Sequence, residues 1–200
     1  MLRYEGRILL DGRMLSSLPS GDRRRERRRV QVVFQDPRES LNPRMRIGAI
    51  IAEALTLGGL HDRAALQRQT AALLERVGLN ASLADRHPHA VSGGQAQRIA
   101  VARALAAKPD IIVLDEPTSA LDVSTQAMLL NLLKDLSRDE RLAYVMISHD
   151  IAAIAWLADR IAVLREGRIV ETAPTMQLID APQDPYTIAL LATAPRLQAG

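Results

Sequence analysis

The sequence predicts an α/β protein, a largely parallel sheet carrying a helical sub-domain. Three observations predict it. Residues 30–34 (VQVVF), 111–114 (IIVL) and 142–147 (LAYVMI) are apolar, β-branched runs, continuous rather than alternating, as strands buried on both faces are. Helix-period segments separate them, the pattern of parallel strands joined by crossovers. Each run ends on polar residues: Gln35-Asp36, Asp115-Glu116 and Ser148-His149-Asp150. In open α/β sheets, ligands bind outside the carboxyl ends of the strands.

Composition excludes several classes. The chain has 200 residues, 48% of them hydrophobic, so a real core is expected and disorder is not. Aromatics are 2%, which disfavours nucleic-acid readers that stack bases on aromatic rings. There is no cysteine, hence no disulfide, thiolate chemistry or cysteine zinc site. The four histidines, 61, 87, 89 and 149, show no metal-ligand spacing beyond His87-Pro88-His89, which reads as a surface turn. No apolar run approaches the roughly 18 residues of a membrane helix. No apolar leader follows Met1, so a cytosolic location, or one on the cytosolic face of a membrane, is expected.

The elements follow in order. Residues 3–12, around RILLDG, read as a short strand closed by Asp11-Gly12, and 14–19 as a connector. The arginine run at 23–29 reads as a solvated helix face leading into the strand at 30–34; a nucleic-acid patch is the sharper alternative. Residues 38–90 change character: 47–57 and 63–77 have helical periodicity, punctuated by Gly58-Gly59 and Gly78. Ser92-Gly93-Gly94-Gln95 then opens another helix. Its free backbone N–H groups and the positive end of the dipole make an anion site. After the strand at 111–114 and the turn at Pro117, Asp122 is a fitting N-cap for a helix over 123–136. The strand at 142–147 is expected to be buried, and 151–158 helical. Residues 161–164 and 168–171 flank Glu166-Gly167 as a hairpin. A short helix at 174–180 precedes a proline-marked tail with an apolar end.

Taken singly, Asp115 and Glu116 read as a solvated strand end, and Gln35 or His149 as an ordinary polar residue. Their joint order changes that. Gln35 after a strand, SGGQ at 92–95, IIVLDEPTSALD at 111–122 and SHD at 148–150 together resemble the nucleotide-binding domain of an ABC ATPase. The resemblance covers essentially the whole chain and implies a P-loop NTPase-like fold. It divides the chain into residues 1–37 and 91–173 as parts of the ATPase core, 38–90 as the helical sub-domain and 174–200 as a C-terminal tail. It implies ATP and Mg²⁺ as ligands. Gln35 resembles the Q-loop glutamine, touching Mg²⁺ and the attacking water. Ser92, Gly93, Gly94 and Gln95 resemble the signature motif, which holds the γ-phosphate of a nucleotide bound on a second ABC ATPase subunit. Asp115 resembles the Walker B acid, holding Mg²⁺ partly through water, and Glu116 the general base. His149 resembles the switch histidine on the γ-phosphate. Ser119 to Asp122 resemble the D-loop, which crosses the dimer interface.

Two longer stretches, QDPRESLNPRMRIG at 35–48 and APQDPYTIALL at 181–191, resemble the ATPase subunits of oligopeptide and dipeptide importers. Related importers for nickel, glutathione and peptide antibiotics share the tail, so the cargo stays open. The resemblance implies membrane-spanning permease subunits as partners, docked on residues 38–90, and a peripheral place on the cytoplasmic face of the inner membrane. No nucleic acid is expected. Repair-type relatives carry a long coiled coil between the Q-loop and the signature, and residues 36–91 are too few for one.

One part of the family pattern is missing. A P-loop, G-x-x-x-x-G-K-[ST], wraps phosphates with glycines and a lysine. The two lysines, Lys108 and Lys134, follow Ala107 and Leu133, so neither belongs to one. The adenine-stacking aromatic has no counterpart either. Met1 is therefore expected to be an internal or misassigned start, or the gene to be truncated. In the family the P-loop strand is central to the sheet and its helix packs on that sheet. Without them, strands such as 111–115 are expected to lose a neighbour and expose apolar surface, leaving the chain poorly stable or prone to aggregate.

Overall fold

The computed structural model describes residues 6–193. Its centre is a parallel sheet of β3 (Val30–Val33), β4 (Ile111–Asp115) and β5 (Ala143–Ile147), in the order β3-β4-β5. Val33 lies beside Leu114, and Leu114 beside Met146. One face is closed by α5 (Gly93–Ala106) and α6 (Val123–Glu140). Val33, Ile112 and Leu114 meet Ala96, Ile99, Ala100, Leu129 and Leu133 there, all fully or almost fully buried. Alanines along α5 let it approach closely, which is how a core nearly free of aromatics stays dense.

The other face is open. Val32, Val145 and Ile147 are 37%, 53% and 51% exposed, and Phe34, just past β3, is 50% exposed. Register sets Val32 beside Val113 and Val113 beside Val145, so these side chains form one apolar stripe. Parallel sheets are normally covered on both faces. The expected loss of cover is therefore present, with one correction: the strand at 111–115 keeps both neighbours, β3 and β5. Among the described residues the outer edges of β3 and β5 are both unpaired. This also corrects the reading of 142–147 as a buried strand: β5 alternates exposed and half-buried residues.

Across from the β5 edge stands a separate antiparallel hairpin, β6 (Arg160–Arg165) and β7 (Arg168–Pro174), turned through Glu166 and Gly167. Both turn residues have positive φ, 51° and 77°, as a right-twisting two-residue turn requires. Between β5 and β6 runs an apolar slot of about 420 Å³, lined among others by Met146, Ile147, Ile154, Val163, Leu178 and Leu191.

The periphery follows the sequence with adjustments. The stretch at 3–12 is not one strand: Asp11-Gly12 turns a small hairpin of β1 (Leu9–Leu10) and β2 (Arg13–Met14), and residues 1–5 lie outside the described residues. The arginine run forms α1 (Ser20–Arg29), which leads straight into β3. Arg29 is its anchor, bonded to Asp11, Glu26 and Asp110, while Arg28 donates to Leu57 O at 2.9 Å. These three carboxylates hold the Arg29 guanidinium well above its ordinary pKa, the Asp11 bond contributing most. Through Arg29 the end of the run joins the hairpin to the amino end of β4. The sub-domain packs α2 (Pro37–Ser40), α3 (Ile47–Leu57) and α4 (Arg63–Arg76) against α5 through Ile47, Ile51 and Leu74.

After β5 come α7 (Ile151–Leu157), then α8 (Thr175–Asp180) and α9 (Pro185–Thr193) beyond the hairpin. The tail hangs on Glu171. Its two carboxylate oxygens accept the Gln183 and Asp184 N–H groups at 2.9 and 3.0 Å. The Arg165 guanidinium sits 4.9 Å over the Tyr186 ring. The Gln183 bond first, and the Asp184 bond with it, hold the Glu171 carboxyl below its ordinary pKa.

Candidate functional site

The carboxyl ends of β3, β4 and β5 gather the polar residues singled out by the sequence. Gln35 follows β3 and enters a turn fixed by Asp36, whose carboxylate accepts the Arg38 and Glu39 N–H groups at 2.8 and 3.3 Å. Gln35 and Asp115 line one cleft of about 400 Å³ with Phe34, Asp36, Glu39 and Ser40. Asp115 shares the parity of Val113, so it stands on the uncovered side of the sheet.

Glu116 has a left-handed backbone, φ 47°, an unfavourable conformation for a residue with a Cβ. Its N–H donates to Ile147 O at 2.9 Å, tying the turn after β4 to the end of β5. That turn carries the carboxylate to His149, whose Nδ1 lies 2.9 Å from Oε1 and 2.8 Å from Oε2. Oε1 shares the hydrogen bond. Oε2 is buried with no hydrogen bond besides that close approach to Nδ1, and its remaining lone pair could accept from a water. The Glu116 carboxylate raises the His149 pKa by stabilising the protonated ring. His149 itself is largely exposed, so the pair sits at the rim of the slot.

The 92–95 turn is built as the sequence predicts. The Ser92 hydroxyl accepts the Gln95 N–H at 3.2 Å and the Gln95 side chain accepts the Ser92 N–H at 3.0 Å, a reciprocal cap. The Gly93 and Gly94 N–H groups remain at the positive end of a helix of 14 residues. Gly93 lines a cavity of about 540 Å³ with Gln35, Arg38, Ser119 and Leu121. Asp122 caps α6, accepting from Ser124 Oγ at 2.6 Å, Thr125 Oγ1 at 2.8 Å and Thr125 N at 2.9 Å. These bonds, Ser124 first, hold its carboxyl far below the ordinary range.

The candidate residues thus fall into three sets, two of which share Gln35. Gln35, Gly93 and Ser119 meet at one cavity, Gln35 and Asp115 at another, and Glu116 pairs with His149. Among the described residues no hydrogen bond or ion pair joins the 92–95 turn to Glu116 or His149. No three His, Asp or Glu side chains among the described residues are grouped to hold a metal by themselves. Gln35 and Asp115 therefore suit a Mg²⁺ ion that keeps other ligands, such as waters and phosphate oxygens.

Gln97 was not anticipated. It is almost wholly buried, lines the 540 Å³ cavity, and its Nε2 has no partner. Its only trace in the sequence is an amide on an otherwise small and apolar side of α5.

Comparison with known proteins bears on the family and the fold. The ABC transporter family profile matches residues 1–119. A putative peptide import ATP-binding protein of Brucella ovis is 47% identical over 95% of the chain, and the chain spans 60% of that relative's length. The glutathione import ATP-binding protein GsiA of Salmonella paratyphi A is 46% identical over 96% of the chain, which spans 31% of it. Among solved structures, the ATP-binding cassette MJ0796, a dimer bound to ADP and phosphate, superposes with a TM-score of 0.76 and 29% identity, covering 86% of this chain and 74% of that one. CbiO1 of Clostridium perfringens, part of the transporter complex cbiONQ, gives 0.77 and 25% identity, covering 87% and 68%. No helix among the described residues is long and apolar enough to cross a membrane.

Proposed function

The chain belongs to the ABC transporter family, and on that premise we propose that it forms the signature-and-base portion of an ATP-hydrolysing subunit that energises import of peptides or related small solutes. The observation that carries this reading is the Glu116–His149 pair, held by a left-handed turn at the carboxyl end of β4 beside the uncovered face. A carboxylate in that place can polarise a water for in-line attack on a terminal phosphate, and His149 fixes its orientation. A positioned base contributes about 10²–10⁴ in rate. Phosphoryl transfer otherwise needs alignment and charge neutralisation. Asp115 and Gln35 would hold Mg²⁺, which neutralises phosphate charge when bound. Ser92, Gly93, Gly94 and Gln95 would offer the Ser92 hydroxyl and backbone amides to a nucleotide held by a second ATPase subunit. Asp122 shapes the turn that reaches that partner. Residues 38–90 would dock on membrane-spanning permease subunits, placing the chain on the cytoplasmic face of the inner membrane.

The P-loop is the missing contribution. A strand in the β5–β6 slot and a helix on the open face, together carrying a P-loop, would bring phosphates against Asp115 and Glu116. This chain supplies no such unit from its own 200 residues. A competing reading is a non-catalytic remnant or regulatory domain that only docks on a membrane complex.

Equilibrium ATP binding and turnover separate the two. The chain alone is expected to hydrolyse no ATP. Joined to a P-loop-bearing segment it gains turnover, which Glu116→Gln lowers by about 10²–10⁴. Turnover by the isolated chain overturns the need for a P-loop from elsewhere, and no nucleotide binding in the joined form leaves the docking role.

A further inference from the structure

The 92–95 turn is gripped from two sides by side chains that have no role so far. On one side Arg38, in α2, donates Nη2–H to Val91 O at 3.0 Å, directly before Ser92. The same short helix is held at its far end. Arg103, on α5, donates to Ser40 O and lies near Ser40 Oγ. Burial draws the Arg103 guanidinium below its ordinary pKa, with Glu53 partly offsetting it. The segment after Gln35 is therefore fastened at one end to Val91, just before α5, and at the other to α5 itself, by charge-assisted bonds to neutral oxygens, stronger than neutral pairs.

On the other side, Gly94 meets Thr125. A Cβ added at Gly94 would overlap the Thr125 Cγ2 methyl. Thr125 cannot easily turn away, because its N–H and hydroxyl both bond to Asp122. Gly94 is needed for this close approach and not for an unusual φ.

We propose that Arg38 and Thr125 are positioning residues that lock the Gln35, Ser92 and Asp122 turns into one mechanical unit. A displacement of one turn then displaces the other two. This rests on the reading above, in which the Gln35 turn and the Ser92 turn serve different nucleotides; the unit is then the short physical connection between two sites. Packed interiors pass such shifts on because they deform little.

Amide hydrogen exchange on the whole chain tests the lock without nucleotide, so the result stands even if the ATPase reading fails. Arg38→Met is expected to speed exchange about tenfold in peptides covering both 36–41 and 92–98. Gly94→Ala is expected to do the same in 92–98 and 119–126. Gly94→Ala with Thr125→Ser restores both segments, since serine removes the methyl and keeps the hydroxyl bond to Asp122. A merely structural defect would instead speed exchange through α5 and β4 and would not respond to serine. The proposal is overturned if the change stays within the mutated turn, spreads evenly through the core, or survives the serine rescue. In a form with ATP turnover, Arg38→Met lowers kcat about tenfold with KM held within about twofold; a change in KM alone contradicts a positioning role.

Discussion

The two faces of the β3–β4–β5 sheet are made of the same kinds of residue and have opposite fates. Val33, Ile112 and Leu114 disappear beneath α5 and α6. Val32, Val145 and Ile147, their neighbours of opposite parity, face outward. Side-chain chemistry does not account for the difference; the supply of covering elements does. The helices of this chain pack on one side of the sheet, and the hairpin stands away from the unpaired edge of β5. The open side is also where Asp115 points and where the Glu116–His149 pair sits. The residues that would act on a phosphate therefore border the sheet face that the described residues leave exposed.

This contrast can be broken by substitution. Leu114→Ala, beneath α5, is expected to cost about 2–5 kcal/mol, from lost burial plus the cavity left behind. Val145→Thr, on the bare side, is expected to stay within about 0.5 kcal/mol, as ordinary surface changes do. Denaturant unfolding measures both. Equal costs would mean that the outward face is packed within the single chain as tightly as the inner one.

Acid and base titration sharpen it at the site end. Glu116 raises the His149 pKa, so the stabilisation from the pair is fully present below the unfolded histidine value of about 6.5. It is lost as pH rises through the raised folded value. Imidazole NMR is expected to show that raised value, and Glu116→Gln is expected to return it toward the ordinary one. An unchanged titration in the variant would remove Glu116 as the cause. Asp122 has the opposite sign. Its folded pKa is depressed, so its contribution holds above the unfolded carboxyl value of about 3.9 and fades as pH falls through the folded one. Asp122→Asn, which keeps one capping oxygen, is the smallest of these changes: it lowers the unfolding midpoint slightly near pH 7, where the charge contributes, and flattens its acid limb below about pH 4. An unchanged acid limb would show that Asp122 contributes nothing there.

Much of this was legible beforehand. The strand runs placed β3 and β4 to within a residue, and Ser92-Gly93-Gly94-Gln95 marked the start of α5, though not its reciprocal cap. Asp122 was readable as a cap from its residue type before an apolar helical run. Other features depend on distant parts of the chain. The exposure of β5 could not be read from LAYVMI, because apolar character does not say whether a cover is present. The helix after Asp122 runs to Glu140, past 136, because Ser137 to Glu140 are polar yet helix-compatible and only Arg141, at φ 56°, turns the backbone. The left-handed turn at Glu116, the Gly94–Thr125 contact and the buried amide of Gln97 arise from tertiary packing, which leaves almost no local trace.

The most direct test of the central claim is to produce the whole chain alone and together with a separate strand–helix segment carrying a P-loop, and to follow association, β5 amide exchange and ATP turnover in one series. The account predicts a chain that self-associates alone, then forms a one-to-one complex in which the β5 amides become protected and ATP is hydrolysed, with turnover lost in Glu116→Gln. A chain that is monodisperse by itself, unfolds cooperatively and neither binds the segment nor gains protection in β5 would contradict it.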